Sequence, residues 1–382
     1  MTEAGRAGPP SSTRIESVSS EVEFANLAGR WDELVRAMPR PSPFLLHGWL
    51  HEWWRHYGAR RSLAVYVALR GDRLVGALPL CRGGRRLGVR VTQFLGGTAA
   101  PLADLMVAAG EDPSTAAGLA DRIGSTGDDF VDLYGMRGDS RLTAALPSGS
   151  LHLLERLDGP ILDLSDGWEG FERTRLSHKA RGDRARRRRQ LEELGAVEVS
   201  IARTPEAIEA PLEDAFRLHA VRWRGRHEGS EFATPVGKAF RRAALRCLAA
   251  QDVARLVTLR LDGRPIAFSL HLLFERTVYG VAMAFDPAFA RYSPGTETFL
   301  WALESAADEG AERVEFLGDA APYQRRLADR LDPVHEGIGL PSTLRGRAAV
   351  ETLVAGIRAR RRIKRSGTAR RLYGRVPRPA RG

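Results

Sequence analysis

Three stretches of this chain have the residue types and spacing to do chemistry. The first is Arg291-Tyr-Ser-Pro-Gly-Thr296. Serine suits an N-cap, proline suits the first helical position, and glycine lets a ligand approach the backbone. A helix opened in this way after a strand turns backbone N–H groups and its positive end toward an anion, and a diphosphate fits there. The same residues also make an ordinary helix start. The second stretch holds His219, Arg222 and Trp223, with His219 and Arg222 neighbours at helical spacing. A core-facing histidine with arginine stacked on tryptophan is the plain account of it. The third, from Arg173 to Gly195, reads RTRLSHKARGDRARRRRQLEELG and is basic on nearly every face if helical from about Ser177. It is either a solvated helix between domains or a basic rim, with Arg181 and Arg184, over the cleft between those domains, suited to a phosphate or an acidic substrate. His47, His51 and His56 lie among tryptophans without a cysteine or carboxylate partner set, so they are read as packing residues rather than metal ligands.

These residues need elements to hold them. Leu256 to Leu261 and Ile266 to Phe274 are β-prone runs around Asp262-Gly263-Arg264-Pro265, which predicts a hairpin. A strand from Thr277 to Phe285 leads into the Ser-Pro-Gly start. The helix that follows places Phe299, Leu303, Ala306 and Ala307 on one face and ends before Gly310, and Val314 to Leu317 reads as a buried strand running into Gly318-Asp319. An earlier stretch follows the same plan. Arg14 to Val18 answers Val197 to Ile201, and the helix face of Phe24, Leu27, Trp31, Leu34 and Val35 answers a helix opened by Pro205 with Ile208, Leu212, Ala215, Phe216 and His219. Leu50 to His56 answers Phe240 to Leu248. The hairpin turn at Arg73 answers that at Arg264, an offset of 191 residues, and Phe130 to Leu133 answers Val314 to Leu317. That period is too long for a solenoid and indicates a duplicated domain. The copies are unequal: in place of the Ser-Pro-Gly helix start the first has FLGGTAAPLADLMV, a looser loop with Gly96, Gly97 and Asp104, so one copy is equipped for a phosphate.

The 382 residues, 43% hydrophobic and 27% charged, suffice for two globular domains and tails. The expected class is α/β with mixed sheets, divided as a disordered segment 1–13, domains over 14–165 and 196–341 joined by a basic helix over 166–195, and a basic helix or tail over 342–382. With no span-length apolar run, no signal pattern at its start, and Cys81 and Cys247 as its cysteines, the chain is expected in the cytoplasm. The net charge of +11 is local. Residues 342–382 carry thirteen lysines and arginines against Glu351, which leaves the rest near neutrality. That segment could solubilise, contact an anionic membrane at its inner face, or bind RNA, although Tyr373 is the one aromatic there to stack on bases.

The element order is similar to the GNAT acyltransferase fold, and its duplication resembles the tandem GNAT arrangement. PSPFLLHGWLHEWWRHYG from Pro41, RLVGALPL, LHAVRWRGRHEGSEF, GRPIAFSLHL, FDPAFARYSPGTETFLWALESAADEG and EFLGDAAPYQRRL, in that order, resemble the CelD/BcsL-like acetyltransferases associated with cellulose and other exopolysaccharides, near the FemAB-like transferases. The resemblance spans about Arg14 to Leu340. It implies transfer of an acyl group from acyl-CoA, acetyl-CoA for instance, to an amine or hydroxyl of a small-molecule, sugar or envelope-polysaccharide acceptor, without a metal. Arg291, Ser293, Pro294, Gly295 and Thr296 take the place of the pyrophosphate turn, although GNATs usually carry two small residues at a closer spacing. His219, Arg222 and Trp223 are pointed into the cleft as acceptor contacts. Attack on a thioester needs positioning, a base or water chain, and an acid for the leaving thiolate. Asp286 and Asp319 are candidate bases and Tyr323 a candidate acid, each with a plainer account: an Asp-Pro turn, a helix cap and packing. The alternatives are a FemAB-like transferase using aminoacyl-tRNA and a non-catalytic scaffold of a polysaccharide-synthesis complex.

Overall fold

The structure, a computed structural model, describes residues 13–223, 232–318 and 322–365. Seven strands come from the N-terminal part: β1 (Arg14–Val18), β2 (Ser62–Arg70), β3 (Arg73–Arg86), β4 (Val89–Phe94), β5 (Met106–Val107), β6 (Phe130–Met136) and β7 (Leu151–Leu157). Eight follow: β8 (Pro160–Asp163), β9 (Val197–Ala202), β10 (Ala254–Leu261), β11 (Arg264–Phe274), β12 (Thr277–Phe285), β13 (Arg313–Glu315), β14 (Arg330–Leu331) and β15 (Val334–Gly339). They form two mixed sheets, β1-β2-β3-β4-β6-β15-β7 with β5 beside β3, and β9-β10-β11-β12-β13-β8-β14. Written this way the sheets match position by position, so the repeat read from the hairpins is a repeat of whole α/β units with GNAT-like folds.

The units exchange strands. β8 lies in the second sheet against β13, and β15 lies in the first between β6 and β7. A linear division with domains ending at 165 and 341 therefore misassigns both strands. Sequence pattern finds a strand but not its neighbour, because an apolar alternation fits either sheet.

The helices are α1 (Glu21–Ala25), α2 (Ala28–Arg36), α3 (His47–Tyr57), α4 (Pro113–Ala120), α5 (Arg141–Ala145), α6 (Gly167–Arg175), α7 (His178–Glu192), α8 (Glu209–Arg222), α9 (Pro235–Ala250), α10 (Pro294–Asp308), α11 (Pro322–Leu327) and α12 (Leu344–Arg365). The expected face of Phe24, Leu27, Trp31, Leu34 and Val35 is buried, although the helix breaks at Asn26 and Leu27. α8 starts at Glu209, a turn later than Pro205 suggested. Between β10 and β11, Asp262 and Gly263 have φ of 48° and 74°, the left-handed pair that a two-residue hairpin needs.

One apolar core spans both units. Trp49 of α3 stands edge-on to Phe44 at 5.2 Å and to Phe240 of α9 at 5.3 Å, and the surrounding cluster runs from Val18 to Val334. The Tyr279 hydroxyl donates to the Pro41 carbonyl at 3.0 Å, and half-buried Arg137 pairs with buried Glu315. The duplicated units are thus fused through their cores.

The basic C-terminal segment begins as structure rather than as a free tail. Ala349, Val350, Val354 and Ile357 of α12 pack on Val91, Phe130, Leu154 and Ile338 of the first sheet. Arg345 pairs with Asp129 and Arg361 with Glu155. Residues 1–12 and 366–382 lie outside the described residues.

Candidate functional site

In each sheet the fourth and fifth strands are parallel and pair briefly before parting. In the second unit, β12 meets β13 only at Thr277↔Arg313, Val278↔Val314 and Tyr279↔Glu315. Beyond Tyr279, β12 stays bonded to β11 as far as Phe285 but has no strand on its other side among the described residues. The ladder to β11 passes from Leu270↔Ala282 to His271↔Gly280, which leaves Val281 as a bulge. Gly280 to Phe285 is therefore an open strand edge inside the fold, with unspent N–H and C=O groups.

That edge lines a cavity of about 1340 Å³. Ser269, Val281 and Met283 reach it from one side, Leu270 and Ala282 from the other, so it passes through the opening between the strands. The start of α10 forms a second wall. Ser293 has φ of 52°, left-handed backbone that is strained for serine, and its carbonyl accepts from Thr296 N–H at 3.0 Å and Glu297 N–H at 3.2 Å. Pro294 has no N–H, so Gly295 carries the N–H of this turn that has no acceptor among the described residues. Gly295 is required for packing as well: a Cβ there would stand 2.9 Å from Cδ1 of Phe285.

α7 forms the third wall with Arg184, Arg187, Arg188 and Leu191, one face of a helix at spacings of three and four. It starts where the sequence placed a helix start, and Ser177 caps it, accepting from Ala180 N–H at 3.2 Å. The basic run joins the units in sequence, but the cavity that it rims is lined by residues 175–327 and lies in the second unit, which corrects the expected cleft between the two. Its arginines are not equivalent. Arg184 donates from Nε and Nη2 to the Glu297 carboxylate at 3.0 and 3.2 Å, and its guanidinium lies 5.6 Å from the Trp168 ring. Arg188 lies 5.7 Å from the Trp301 ring. Arg187 has no acidic partner among the described residues.

The end of α8 and the start of α11 complete the lining. The Arg222 guanidinium stands 4.9 Å from the Trp223 ring and 4.8 Å from the Phe285 ring. Tyr323 lines the cavity edge-on to Phe299 at 6.3 Å. Burial pushes its phenol above the usual tyrosine range, so it stays protonated through neutral pH.

Of the residues singled out in the sequence, the cavity gathers Ser293, Pro294, Gly295, Thr296, Arg184, Arg222, Trp223 and Tyr323. Others are elsewhere. Asp286 caps the short turn of helix over Pro287–Tyr292, accepting from Ala288 N–H at 3.0 Å and from Arg264 at 2.6 Å, which is the Asp-Pro turn and not a base in the cavity. Arg291 folds onto Tyr292, with its guanidinium 4.6 Å from that ring, and Tyr292 is the one that faces the cavity. Arg181 donates to the Glu172 and Leu176 carbonyls at the end of α6, which corrects its reading as a substrate contact. His219 is buried against Phe232 at 5.1 Å and does not line the cavity. Asp319 lies outside the described residues. Glu297 and the Val281 bulge were missed, since an acid in a first helical turn is commonplace and a bulge leaves no mark in an apolar run.

Glu297 sits in the first turn of α10, where an incoming phosphate would stand. Glu297→Gln is expected to tighten the binding of any anion at this helix start, pyrophosphate for instance, about threefold to tenfold, the roughly 1 kcal/mol that one charge there is worth. Calorimetric titration reads it directly, and weaker binding would mean that the pair with Arg184 is needed to hold the arginine in place.

In the first unit the corresponding opening is filled. β4 meets β6 at Val91↔Phe130 and Thr92↔Val131, and residues 96–105 then turn in between. Gly96 has φ of 97°, and Ala103 N–H donates to the Gly135 carbonyl at 3.1 Å. The half-buried Asp104 carboxylate accepts from Leu105 and Arg141 N–H and from the Ser140 hydroxyl, all within 2.8 Å, locking the segment.

Residues 178–325, comprising α7 and most of the second unit, match the family model described as an acetyltransferase (GNAT) domain. No curated protein matches the chain. Solved structures share the whole two-unit fold. A tandem GNAT protein from the clavulanic acid biosynthesis pathway is 14% identical over 86% of this chain and 100% of its own, with a TM-score of 0.50. The C-terminal domain (DUF2156) of a putative lysylphosphatidylglycerol synthetase from Agrobacterium fabrum is 12% identical over 87% and 96%, with a TM-score of 0.52. FemX is 12% identical over 77% and 87%, with a TM-score of 0.54. At such identities the likeness is one of fold, a tandem arrangement of GNAT-like units.

Proposed function

We propose that the second unit holds an acyl-CoA across the opening between β12 and β13 and passes its acyl group to an amine or hydroxyl. We take the acceptor to be a sugar or other precursor of an envelope polysaccharide, as the CelD/BcsL-like resemblance implies. The open edge of Gly280 to Phe285 carries this reading. An extended arm bearing amides can add to it as a further strand, exchanging backbone hydrogen bonds that β13 no longer makes. One end of such an arm meets the α10 start, where Gly295 N–H, the helix dipole and the arginines of α7 favour a diphosphate. The other end reaches Tyr323. The acceptor approaches from the side of Arg222 and Trp223, an aromatic face with a guanidinium beside it.

The chemistry is a displacement at the thioester carbonyl. The acceptor nitrogen or oxygen bonds to carbon and gives its proton to a water chain, the C–S bond breaks, and the thiolate takes a proton from Tyr323. Tyr323→Phe is expected to lower kcat by about 10²-fold, the lower range of general-acid contributions, with acetyl-CoA affinity unchanged. Release of free thiol from acetyl-CoA in the presence of amino and hydroxy sugars tests the reading, and an unchanged kcat in the variant would remove Tyr323 from the mechanism. The second reading, an aminoacyl group delivered on tRNA, draws on Arg187 and Arg326, which line the cavity without acidic partners among the described residues. Activity that is lost on RNase treatment and not supported by CoA esters would favour it.

A further inference from the structure

The net basic charge of this protein is gathered in residues 342–382, whose described part, α12, packs on the first unit. The apolar side of α12 is committed to the sheet through Ala349, Val350, Val354 and Ile357, so the helix cannot roll. Away from that apolar side it carries Arg347, Arg358 and Arg362, all exposed and without an acidic partner among the described residues. Glu351 is the only acid within residues 342–382, and residues 366–382 add five arginines in sequence. At the start of α12 the surface changes character. Leu344 is 85% exposed and Leu87, at the tip of the β3–β4 hairpin, is 58% exposed. Asp129 holds both segments to the same end of the sheet, accepting from Arg90 N–H at 2.8 Å, from the Thr343 hydroxyl at 2.8 Å and from Arg345 at 2.7 Å. Arg85 beside the hairpin tip is also without an acidic partner among the described residues.

We propose that this face docks the protein on the anionic surface of a lipid bilayer, with the outer arginines of α12 over the headgroups and Leu87 and Leu344 entering the interface. Each arginine held near an anionic leaflet favours the bound state by roughly fivefold. A leucine that leaves water for the acyl boundary adds to this without regard to salt. Because the apolar side of α12 is already buried, the helix itself does not insert, and the contact is peripheral and reversible. The two exposed leucines favour lipid over nucleic acid: a phosphate backbone gives them nothing to enter, and the described part of α12 offers no aromatic side chain on which a base could stack. Among the described residues, no helix is long and apolar enough to cross a membrane.

Co-sedimentation of the full chain with vesicles tests this. Binding is expected to vesicles containing about a third phosphatidylglycerol and not to pure phosphatidylcholine, with most of it lost as salt rises from about 0.05 to 0.5 M. Arg347→Glu/Arg358→Glu/Arg362→Glu should weaken binding by more than about 30-fold. Leu87→Ser/Leu344→Ser should weaken it about tenfold while leaving its salt dependence in place. All five positions are exposed, so an unchanged melting temperature confirms that the variants fold. No binding to anionic vesicles, equal binding to neutral ones, or tighter binding to a short RNA that the leucine variant leaves unchanged would each overturn the proposal. None of these outcomes depends on whether the protein binds acyl-CoA.

Discussion

Gly295→Trp is expected to abolish the thermal stabilisation that acetyl-CoA gives the wild-type protein. Two effects act together. Gly295 is buried in the first turn of α10, and its first side-chain atom would already meet Phe285 at 2.9 Å and Met283 Sδ at 3.6 Å, so an indole displaces those side chains and fills the space proposed for the diphosphate. Displacing Phe285 also removes one of the two rings on which the Arg222 guanidinium rests. A ligand present at a hundredfold over its Kd stabilises the folded state by about 2.7 kcal/mol, and an affinity loss of that size removes nearly all of it. The measurement is the unfolding midpoint with acetyl-CoA, longer acyl-CoAs and free CoA, where the wild type should rise by a few degrees. Gly295→Ala, which needs only the Phe285 ring to shift, should keep most of the response and so separates blockage from misfolding. A wild-type midpoint that no CoA species moves would sink the acyl-CoA reading, and a Gly295→Trp protein that responds normally would move the site away from α10.

The largest effect on stability should follow from ending the chain at Asp332. In a simple tandem of domains this would damage the second unit and spare the first. The exchange of strands reverses that outcome. β15 lies between β6 and β7, so its loss opens the backbone of both, empties the places of Val334 and Ile338, and takes α12 from the face that it covers. A central strand and its covering helix together outweigh the roughly 5–15 kcal/mol by which domains are stable. Trp31, Trp49 and Trp53, buried in the first unit, should lose their near-ultraviolet circular dichroism and shift to solvent-exposed fluorescence. A truncated chain that keeps these signals would show that the first unit stands without its borrowed strand.

The sequence carried the local structure well where chemistry is local. The hairpin at Asp262-Gly263, the helix start near Ser177 and the helix starting at Pro294 are each specified by a few adjacent residues, and each forms where those residues stand. What was hidden depends on partners distant in sequence. Nothing in Pro160–Asp163 or Val334–Gly339 says which sheet will take it. The fates of the charged residues were hidden for the same reason. Arg181 and Arg184 are three residues apart on one helix, yet one closes the end of α6 and the other faces the cavity, because the difference lies in Glu172, Leu176 and Glu297. Asp286 looked fit for a base from its place after a strand, and Arg264 across the hairpin decided otherwise.

The segment 96–105 that fills the first unit bears on stoichiometry. Duplicated binding folds can offer two equivalent sites, and their titrations can then show two steps or cooperativity. Here the chain itself is the permanent occupant of one of them, fixed by Asp104 and by Ala103 on Gly135. Saturation by the donor should therefore be a single hyperbola ending at one ligand per chain.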